Sequence, residues 1–185
     1  GRPRVRVLAR GGAALERARK LSETYALPGP ERCGARGDAP RGVHVLEVPE
    51  DASASPVLRA APELDLPALT ADFANPSLLR RAHPSRVRNE LLVRAVRVPT
   101  ERELAVLDAT GGLAVDAWLL AAAGARVIVC EREPAVAALI GDALARARRD
   151  PATRETAARV SLHAGAAQTL LDGGDAADVV CLDPM

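Results

Sequence analysis

Three carboxylates follow apolar, strand-like runs of the chain, where they could hold a nucleotide-type ligand. They are Asp108, Glu131 and Asp183. Glu131 comes 23 residues after Asp108 (131 − 108), and a carboxylate at this spacing can accept hydrogen bonds from both ribose hydroxyls of an adenosine. Asp183 begins an Asp-Pro step at a strand end, which is where ligands bind in open α/β sheets. The three positions together predict a binding site.

The turn after Asp108 favours S-adenosylmethionine over a dinucleotide as the cofactor. Gly111 and Gly112 allow the backbone to approach a ligand closely, and the start of the next helix adds positive potential. The turn lacks the third glycine of the dinucleotide pattern, and Asp116 stands where it would repel a phosphate. S-adenosylmethionine has no phosphate and carries an ammonium group, so it tolerates both aspartates.

Strands that alternate with helices are predicted to position these carboxylates. We expect strands at 105–108, 126–130, 160–163 and 179–182, and helices from the glycine turn to Gly124 and from Pro134 to Arg148. This alternation is typical of a doubly wound α/β fold with a parallel sheet.

The residues before Pro99 are predicted to form a small α/β module. We expect strands at 5–8, 43–48 and 66–73, helices at 13–25 and 86–96, a loop over 27–42 and an exposed stretch over 49–67. Ser85 is predicted to cap the last helix, whose expected apolar stripe is Val87, Leu91, Leu92, Ala95 and Val96. The predicted domains are residues 1–98 and 99–185.

Six arginines lie between Leu79 and Val98, opposed only by Glu90. They are Arg80, Arg81, Arg86, Arg88, Arg94 and Arg97. Two interpretations remain open: a solvated helix face, or a patch that contacts phosphates through the paired donors of arginine.

The composition narrows the class of protein. The net charge is +1, so the chain as a whole gives no argument for a polyanionic partner. Tyr25, Phe73 and Trp118 are the aromatic residues, too few for stacking platforms that bind bases. The three cysteines have no metal-ligand spacing, which predicts no metal site and fits a reducing cytoplasm. We see no apolar run of about 18 residues, the length that a membrane span needs.

The segment 108–118, Asp-Ala-Thr-Gly-Gly-Leu-Ala-Val-Asp-Ala-Trp, resembles the D-A-T-A-G-L-G-x-D-A-aromatic motif of the RsmJ family. These class I methyltransferases modify the N2 amine of a guanine in bacterial small-subunit (16S) ribosomal RNA. The resemblance continues through 130–139, 162–165 and 182–185 with matching order and spacing. It covers most of residues 104–185 and is looser in the N-terminal half. It implies a Rossmann-like class I methyltransferase sheet.

The resemblance also implies roles for individual residues. It assigns Val115 and Asp116 to the methyl donor from the first helix, Glu131 and Arg132 to the ribose and adenine side, Gly165 and Ala166 to the flanks of the adenine, and Asp183 to the methyl group. With Asp108, these are the expected cofactor-binding residues. Asp183 is also the expected catalytic residue, because its carboxylate could accept N–H bonds of a guanine amine and offset developing positive charge. His163 is interpreted as a packing residue rather than a general base.

This chain departs from the family pattern at several positions. The family usually has Gly and Arg where the chain has Ala114 and Val115, and serines where it has Gly165 and Ala166. The family's glycine-rich turn after the paired arginines is replaced by residues 82–85.

The leading hypothesis is an S-adenosylmethionine-dependent methyltransferase acting on guanine N2 in 16S ribosomal RNA. One alternative is a methyltransferase for another amine, in DNA, protein or a small molecule. Another is an inactive remnant that only binds RNA or a partner. The family motif continues after Met185, so we expect a chain shortened at its C-terminus and a parallel sheet incomplete at that end. An exposed apolar strand at 179–182 would then favour self-association.

Overall fold

The computed structural model describes residues 4–32, 40–98, 101–173 and 177–183. The strands are β1 (Arg4–Ala9), β2 (Glu31–Arg32), β3 (Val43–Val48), β4 (Val57–Arg59), β5 (Ala105–Asp108), β6 (Arg126–Cys130), β7 (Val160–His163) and β8 (Val179–Cys181). The α-helices are α1 (Gly12–Thr24), α2 (Pro76–Ala82), α3 (Pro84–Val87), α4 (Leu91–Val96), α5 (Val115–Ala122), α6 (Pro134–Ala147), α7 (Arg154–Ala158) and α8 (Gln168–Asp172), and a short 3-10 helix spans Pro62–Leu64. The predicted α/β class with parallel strands is confirmed.

The chain divides into two compact units. The first contains Gly1–Ala71 and Pro134–Asp142, and the second contains Asp72–Glu133 and Ala143–Met185. The first unit has a sheet in the order β2-β1-β3-β4, in which β1 is parallel to β2 and β3, and β4 is antiparallel to β3. Helix α1 packs on this sheet. Its Arg17 forms a paired contact with Asp142, at 2.7 Å for each nitrogen–oxygen distance.

The second unit carries a fully parallel sheet in the order β7-β6-β5-β8. Asp108, the last residue of β5, is aligned with Val129 on one side and Cys181 on the other. Because parallel strands end at the same edge, the segments that follow β5, β6, β7 and β8 gather there. The sheet therefore brings the predicted site residues to one edge.

Helix α5 forms the core of the second unit. Residues 117–121, Ala-Trp-Leu-Leu-Ala, are at most 1% exposed, since the sheet covers one side of the helix and α2, α3 and α4 cover another. The ring of Phe73 stacks on that of Trp118, with centroids 4.4 Å apart and planes 6° from parallel. This packing groups residues 72–98 with the second sheet, whereas the sequence placed them in a domain of residues 1–98. The predicted division into domains stays a prediction.

Two predicted elements of the N-terminal half are wrong. The strand at 66–73 does not form. Its only pairing with a sheet in the described structure is a single bridge from Leu69 to Leu58, and Leu58 belongs to the short strand β4. Pro67 lies within the predicted run, and proline cannot donate a ladder hydrogen bond. The prediction of this strand rested on its apolar composition, and residues 66–70 do not show the alternating burial that is typical of a strand.

The predicted helix at 86–96 is instead two helices, α3 and α4. His83, not Ser85, caps α3, because the His83 ring accepts the Ser85 N–H. Glu90 is extended and starts α4 anew. The expected apolar stripe is correct at Val87, which is buried, and wrong at Leu91, which is 78% exposed. Val93, which was not part of the predicted stripe, is buried.

Strand β8 pairs with β5 and, within the described ranges, with no other strand. Val180 and Leu182 are exposed. The predicted self-association through this edge stays a prediction. Among the described residues, no helix has the length and apolar character needed to cross a membrane.

Candidate functional site

The turn between β5 and α5 packs tightly on the neighbouring strand. The Gly111 N–H donates to the Cys130 carbonyl oxygen at 3.0 Å. A Cβ atom at Gly111 would overlap the Val129 side chain and lie 3.0 Å from the same carbonyl oxygen. With Val129 in place, position 111 therefore accepts only glycine. Gly112 and Ala114 both adopt positive φ values, 51° and 59°, so the turn bends sharply before the helix begins.

A cavity of about 370 Å³ opens at this turn. Its size falls within the usual range for small-molecule sites. It is lined by Leu92, Asp108, Thr110, Gly111, Gly112, Leu113, Val115, Asp116, Leu120, Cys181, Leu182 and Asp183. Four of the predicted site residues are therefore brought together, namely Asp108, Val115, Asp116 and Asp183. The described lining residues include three carboxylates and no arginine or lysine.

Asp108 is the buried member of the three carboxylates that line this cavity, with 6% of its surface exposed. Burial is the main reason that the pKa of its carboxyl is raised to about 6. The Thr110 N–H, donated to Asp108 Oδ1 at 3.2 Å, opposes this shift, and the charges of Asp116, Asp183 and Glu131 contribute to it. A cation bound in the cavity would therefore stabilise the ionised form of the Asp108 carboxyl group. A cationic ligand fits this donor set and an anionic one does not.

Asp183 is held at the rim of the cavity by a residue that the sequence analysis did not single out. Its backbone N–H donates to the Thr110 hydroxyl oxygen at 2.8 Å. Thr110 thereby links the turn after β5 to the segment after β8, over a separation of 73 residues along the chain. The pairing of parallel strands was the signal available, because it places the ends of β5 and β8 side by side. Pro184 and Met185 lie outside the described residues.

Glu131 and Arg132 follow β6 and are not among the residues that line the cavity. The Glu131 carboxylate accepts the Glu133 N–H at 2.7 Å, and the backbone N–H of Glu131 donates to the His163 carbonyl oxygen at 3.1 Å. Its charge still acts on Asp108. Arg132 is exposed. The predicted role of both residues at the ribose stays a prediction.

Gly165 and Ala166 follow β7, also outside the cavity lining. The Thr169 hydroxyl donates to the Ala166 carbonyl oxygen at 2.8 Å, so its oxygen must accept from His163 Nε2–H at 2.9 Å. The His163 ring then fills the space beside Gly165, where a Cβ atom would lie 2.8 Å from Nε2. This arrangement agrees with the interpretation of His163 as a packing residue. The predicted contacts of Gly165 and Ala166 with an adenine stay predictions.

Comparisons with known proteins agree with this geometry. Residues 51–185 match the family model "Putative SAM-dependent methyltransferase". A ribosomal RNA small subunit methyltransferase J from Pseudomonas aeruginosa (strain LESB58) is 35% identical over 99% of this chain and 67% of its own length. The chain belongs to the RsmJ family of methyltransferases. The relative of the same name from Halorhodospira halophila is 46% identical over 62% of this chain.

The fold comparison supports the same family. The crystal structure of a SAM-dependent methyltransferase from Neisseria gonorrhoeae matches 97% of this chain and 69% of its own, with a TM-score of 0.72 and 28% identity. The predicted Rossmann-like methyltransferase fold is thus confirmed. The matched part is 43% of the length of the Halorhodospira relative and about two thirds of the Pseudomonas one.

Membership of the RsmJ family makes S-adenosylmethionine the expected cofactor, and the cavity fits its chemistry. The ligand carries an ammonium and a sulfonium, and the cavity offers Asp108, Asp116 and Asp183. Its lining also includes the apolar Leu92 and Val115.

The departures from the RsmJ motif now have structural consequences. Ala114 takes the left-handed conformation that favours the family's glycine, so this turn carries strain. Gly111 stands where the family motif has alanine, and Val129 occupies the space of the missing methyl group. Val115 is 37% exposed and lines the cavity with an aliphatic side chain.

Proposed function

We propose that this protein is an S-adenosylmethionine-dependent methyltransferase that acts on the exocyclic N2 amine of a guanine in 16S ribosomal RNA. The observation that carries the proposal is the acidic cavity with Asp183 tied to its rim by Thr110. The printed name of the relatives, ribosomal RNA small subunit methyltransferase J, supports the RNA substrate. The guanine N2 target rests on the resemblance of residues 108–118 and 182–185 to the family motifs.

The residues of the cavity would hold the cofactor by charge and shape. Asp108 and Asp116 would attract its cationic groups, and the close-packed turn at Gly111 would let the backbone approach it. Glu131 would hold the ribose hydroxyls. When bound, S-adenosylmethionine supplies an electrophilic methyl group on a sulfonium.

Asp183 would act on the nucleophile. A guanine amine is a weak nucleophile because its lone pair is delocalised into the ring. The Asp183 carboxylate would accept an N–H of the amine and favour the developing positive charge on nitrogen. Transfer of the methyl group to N2 would leave a surplus proton on that nitrogen, and the Asp183 carboxylate or water would take it up.

Thr110 would set the position of Asp183. Its hydroxyl oxygen accepts the Asp183 N–H, so the carboxylate starts from a fixed backbone at the edge of the cavity. In-line transfer needs the amine and the methyl group aligned. The target guanine must be unpaired or flipped out of a helix to enter.

Methylation of 16S ribosomal RNA purified from a strain that lacks the corresponding gene tests the proposal. With radiolabelled S-adenosylmethionine, we expect transfer to the RNA and N2-methylguanosine in the nuclease digest by mass spectrometry. Asp183→Asn should lower the rate by roughly 100-fold, while Asp172→Asn, an exposed carboxylate on α8, should not change it. A different methylated nucleoside, or equal rates for both variants, would contradict the proposal.

The hydroxyl of Thr110 provides a second arm of this test. Thr110→Val should lower kcat by roughly tenfold, because one hydrogen bond contributes about 1 kcal/mol, and should affect the KM for S-adenosylmethionine less. Thr110→Ser restores the acceptor and should recover most of kcat. Equal kcat values for the valine and serine variants would remove Thr110 from the mechanism.

A further inference from the structure

The structure separates the six arginines between Leu79 and Val98 into two groups. Arg81 forms a paired contact with Glu90, with nitrogen–oxygen distances of 3.1 and 2.9 Å. Arg88 donates to the carbonyl oxygens of Val98 and Ala123, both at 3.1 Å. These two guanidinium groups link the segments around α2, α3, α4 and α5, and their donors already have partners within the protein.

The other four arginines are exposed. The side chains of Arg80, Arg86, Arg94 and Arg97 form no hydrogen bond or ion pair with any residue in the described ranges. Residues 73–98 contain Glu90 as their single acidic residue, and Arg81 already engages it. The four charges are therefore uncompensated within this segment. We call these four residues the open arginines.

The open arginines lie on or directly after three helices that pack on α5. Helices α2, α3 and α4 pack on α5, the helix that begins at the cavity with Val115 and Asp116. Leu92 of α4 lines the cavity itself, and Arg94 lies on the same helix, exposed to solvent. The charge of Asp116 also contributes to raising the pKa of Arg81, after the hydrogen bond to Glu90.

We propose that the open arginines form the surface that grips the phosphate backbone of the RNA whose base enters the cavity. This inference rests on the proposed function. Arginine offers paired, planar donors that match a phosphate, and phosphate contacts orient a nucleic acid without reading its sequence. The cavity would bind the target base, and the open arginines would bind the phosphates of the RNA chain that carries it.

RNA is favoured over an acidic protein partner because of the neighbouring cavity. The carboxylates of the cavity suit a cationic cofactor and the amine of a base. A base in RNA is attached to a phosphate backbone, which the neighbouring arginines can bind. The chain has three aromatic residues, and Phe73 and Trp118 are buried against each other. Phe73 and Trp118 are therefore not available for stacking with bases, which favours phosphate contacts as the source of affinity at this face.

The salt dependence of RNA binding tests the proposal. The probe is 16S ribosomal RNA without its proteins, titrated with the full chain at several salt concentrations. The double variants Arg80→Gln/Arg94→Gln and Arg86→Gln/Arg97→Gln should each lower the slope of log K against log salt by about 1.4, from roughly 0.7 per phosphate contact on single strands. The matched control is Arg149→Gln/Arg154→Gln, which removes two exposed arginines elsewhere in the second unit.

The readouts separate this proposal from the proposed function. Binding of S-adenosylmethionine by calorimetry should be the same in all variants, which also shows that they fold. The open-arginine variants should raise the KM for RNA and leave kcat at saturating RNA unchanged. A salt slope equal to that of the control pair would overturn the arginine surface even if RNA is methylated. A lowered slope without any RNA methylation would keep the surface and overturn the proposed function.

A competition experiment addresses the acidic partner. Polyglutamate is the probe, added to the complex with RNA. We expect RNA to stay bound at polyglutamate concentrations that match its phosphate charge. If polyglutamate displaces RNA from the original protein, and the open-arginine variants lose polyglutamate binding alone, the surface serves an acidic protein and the RNA proposal is wrong.

Discussion

Each unit of the protein contains a parallel strand followed by a glycine turn and a helix, yet only the turn of the second unit opens into the described acidic cavity. In the first unit, Arg10 and Gly11 join β1 to α1. In the second, the six residues 109–114 join β5 to α5. Both turns are tied to the adjacent parallel strand: Arg10 N–H donates to Val48 O at 3.3 Å, and Ala109 N–H donates to Cys181 O at 3.0 Å.

The two turns differ in what fills the space next to them. The carboxylate of Glu50 lies against Gly11, where a Cβ atom would overlap it. The chain therefore places its own anion beside the first turn. The second turn has carboxylates around open space, with Asp108 at the strand end where the first unit has the fully buried Ala9. A glycine turn after a parallel strand can thus form a ligand site. Whether it does depends on the length of the turn and on the polar residues that line it.

The largest expected effect concerns the packing of the second turn. Gly111→Ala should lower the free energy of unfolding by about 3 kcal/mol, because the new methyl group overlaps Val129. Gly12→Ala, at the first residue of α1, has nothing within 4 Å of the added Cβ and should change stability by less than about 1 kcal/mol. Urea unfolding of both variants measures the difference.

A double variant sharpens that prediction. Val129→Ala makes room for the new methyl group, so the cost of Gly111→Ala/Val129→Ala should be smaller than the sum of the two single costs by about 1 to 2 kcal/mol. Additive costs would mean that Val129 does not restrict this turn.

The second prediction concerns the carboxyl group that distinguishes the two strand ends. Asp108 has a raised pKa of about 6 in the folded protein and 3.8 as its ordinary value. The folded state therefore holds this proton more tightly, so stability is full below about pH 4 and is lost as pH rises to 6. The loss amounts to about 3 kcal/mol. Asp108→Asn should remove that part of the pH dependence, as measured by urea unfolding between pH 4 and 7.

The affinity for S-adenosylmethionine should show the opposite trend. A cation binds best to the ionised Asp108, so the affinity should rise by roughly tenfold as pH rises through 6, and Asp108→Asn should not show this rise. Glu50→Gln alters the carboxylate of the first turn and should leave the affinity at pH 7.5 unchanged. Calorimetric titration of both variants checks this, and a loss of affinity in Glu50→Gln would break the comparison between the turns.

The last pair of predictions concerns the residues that precede the two helices. Gly11 has φ 87° and ψ 175°, a conformation essentially restricted to glycine, so Gly11→Ala should cost about 2 kcal/mol. Ala114 has φ 59° and ψ 25°, and Ala114→Gly should relieve strain but lose a buried methyl group and gain unfolded-state freedom, for a net change below about 1 kcal/mol. Thermal unfolding distinguishes the two, and a large loss of stability in Ala114→Gly would contradict the strain.

Much of the second unit could be predicted from sequence. Its strands β5, β6 and β7 have the predicted bounds, and β8 ends one residue earlier than predicted. Short apolar runs between glycine turns and helices carry a clear signal, because these strands are buried in a parallel sheet. The helices around Glu90 were mispredicted, because periodicity alone cannot show that Arg81 binds Glu90 and that Leu91 faces solvent.

The sequence by itself determined the fold class, the family and the placement of Asp108, Asp116 and Asp183 at one edge of the sheet, because strand ends and turn residues are local properties of the chain. The tertiary structure alone decided that Thr110 holds Asp183, that Asp108 keeps its proton up to about pH 6, and that four of six arginines stay open. Those outcomes depend on burial, charge and hydrogen-bond partners that come from distant parts of the chain, and no local pattern records them.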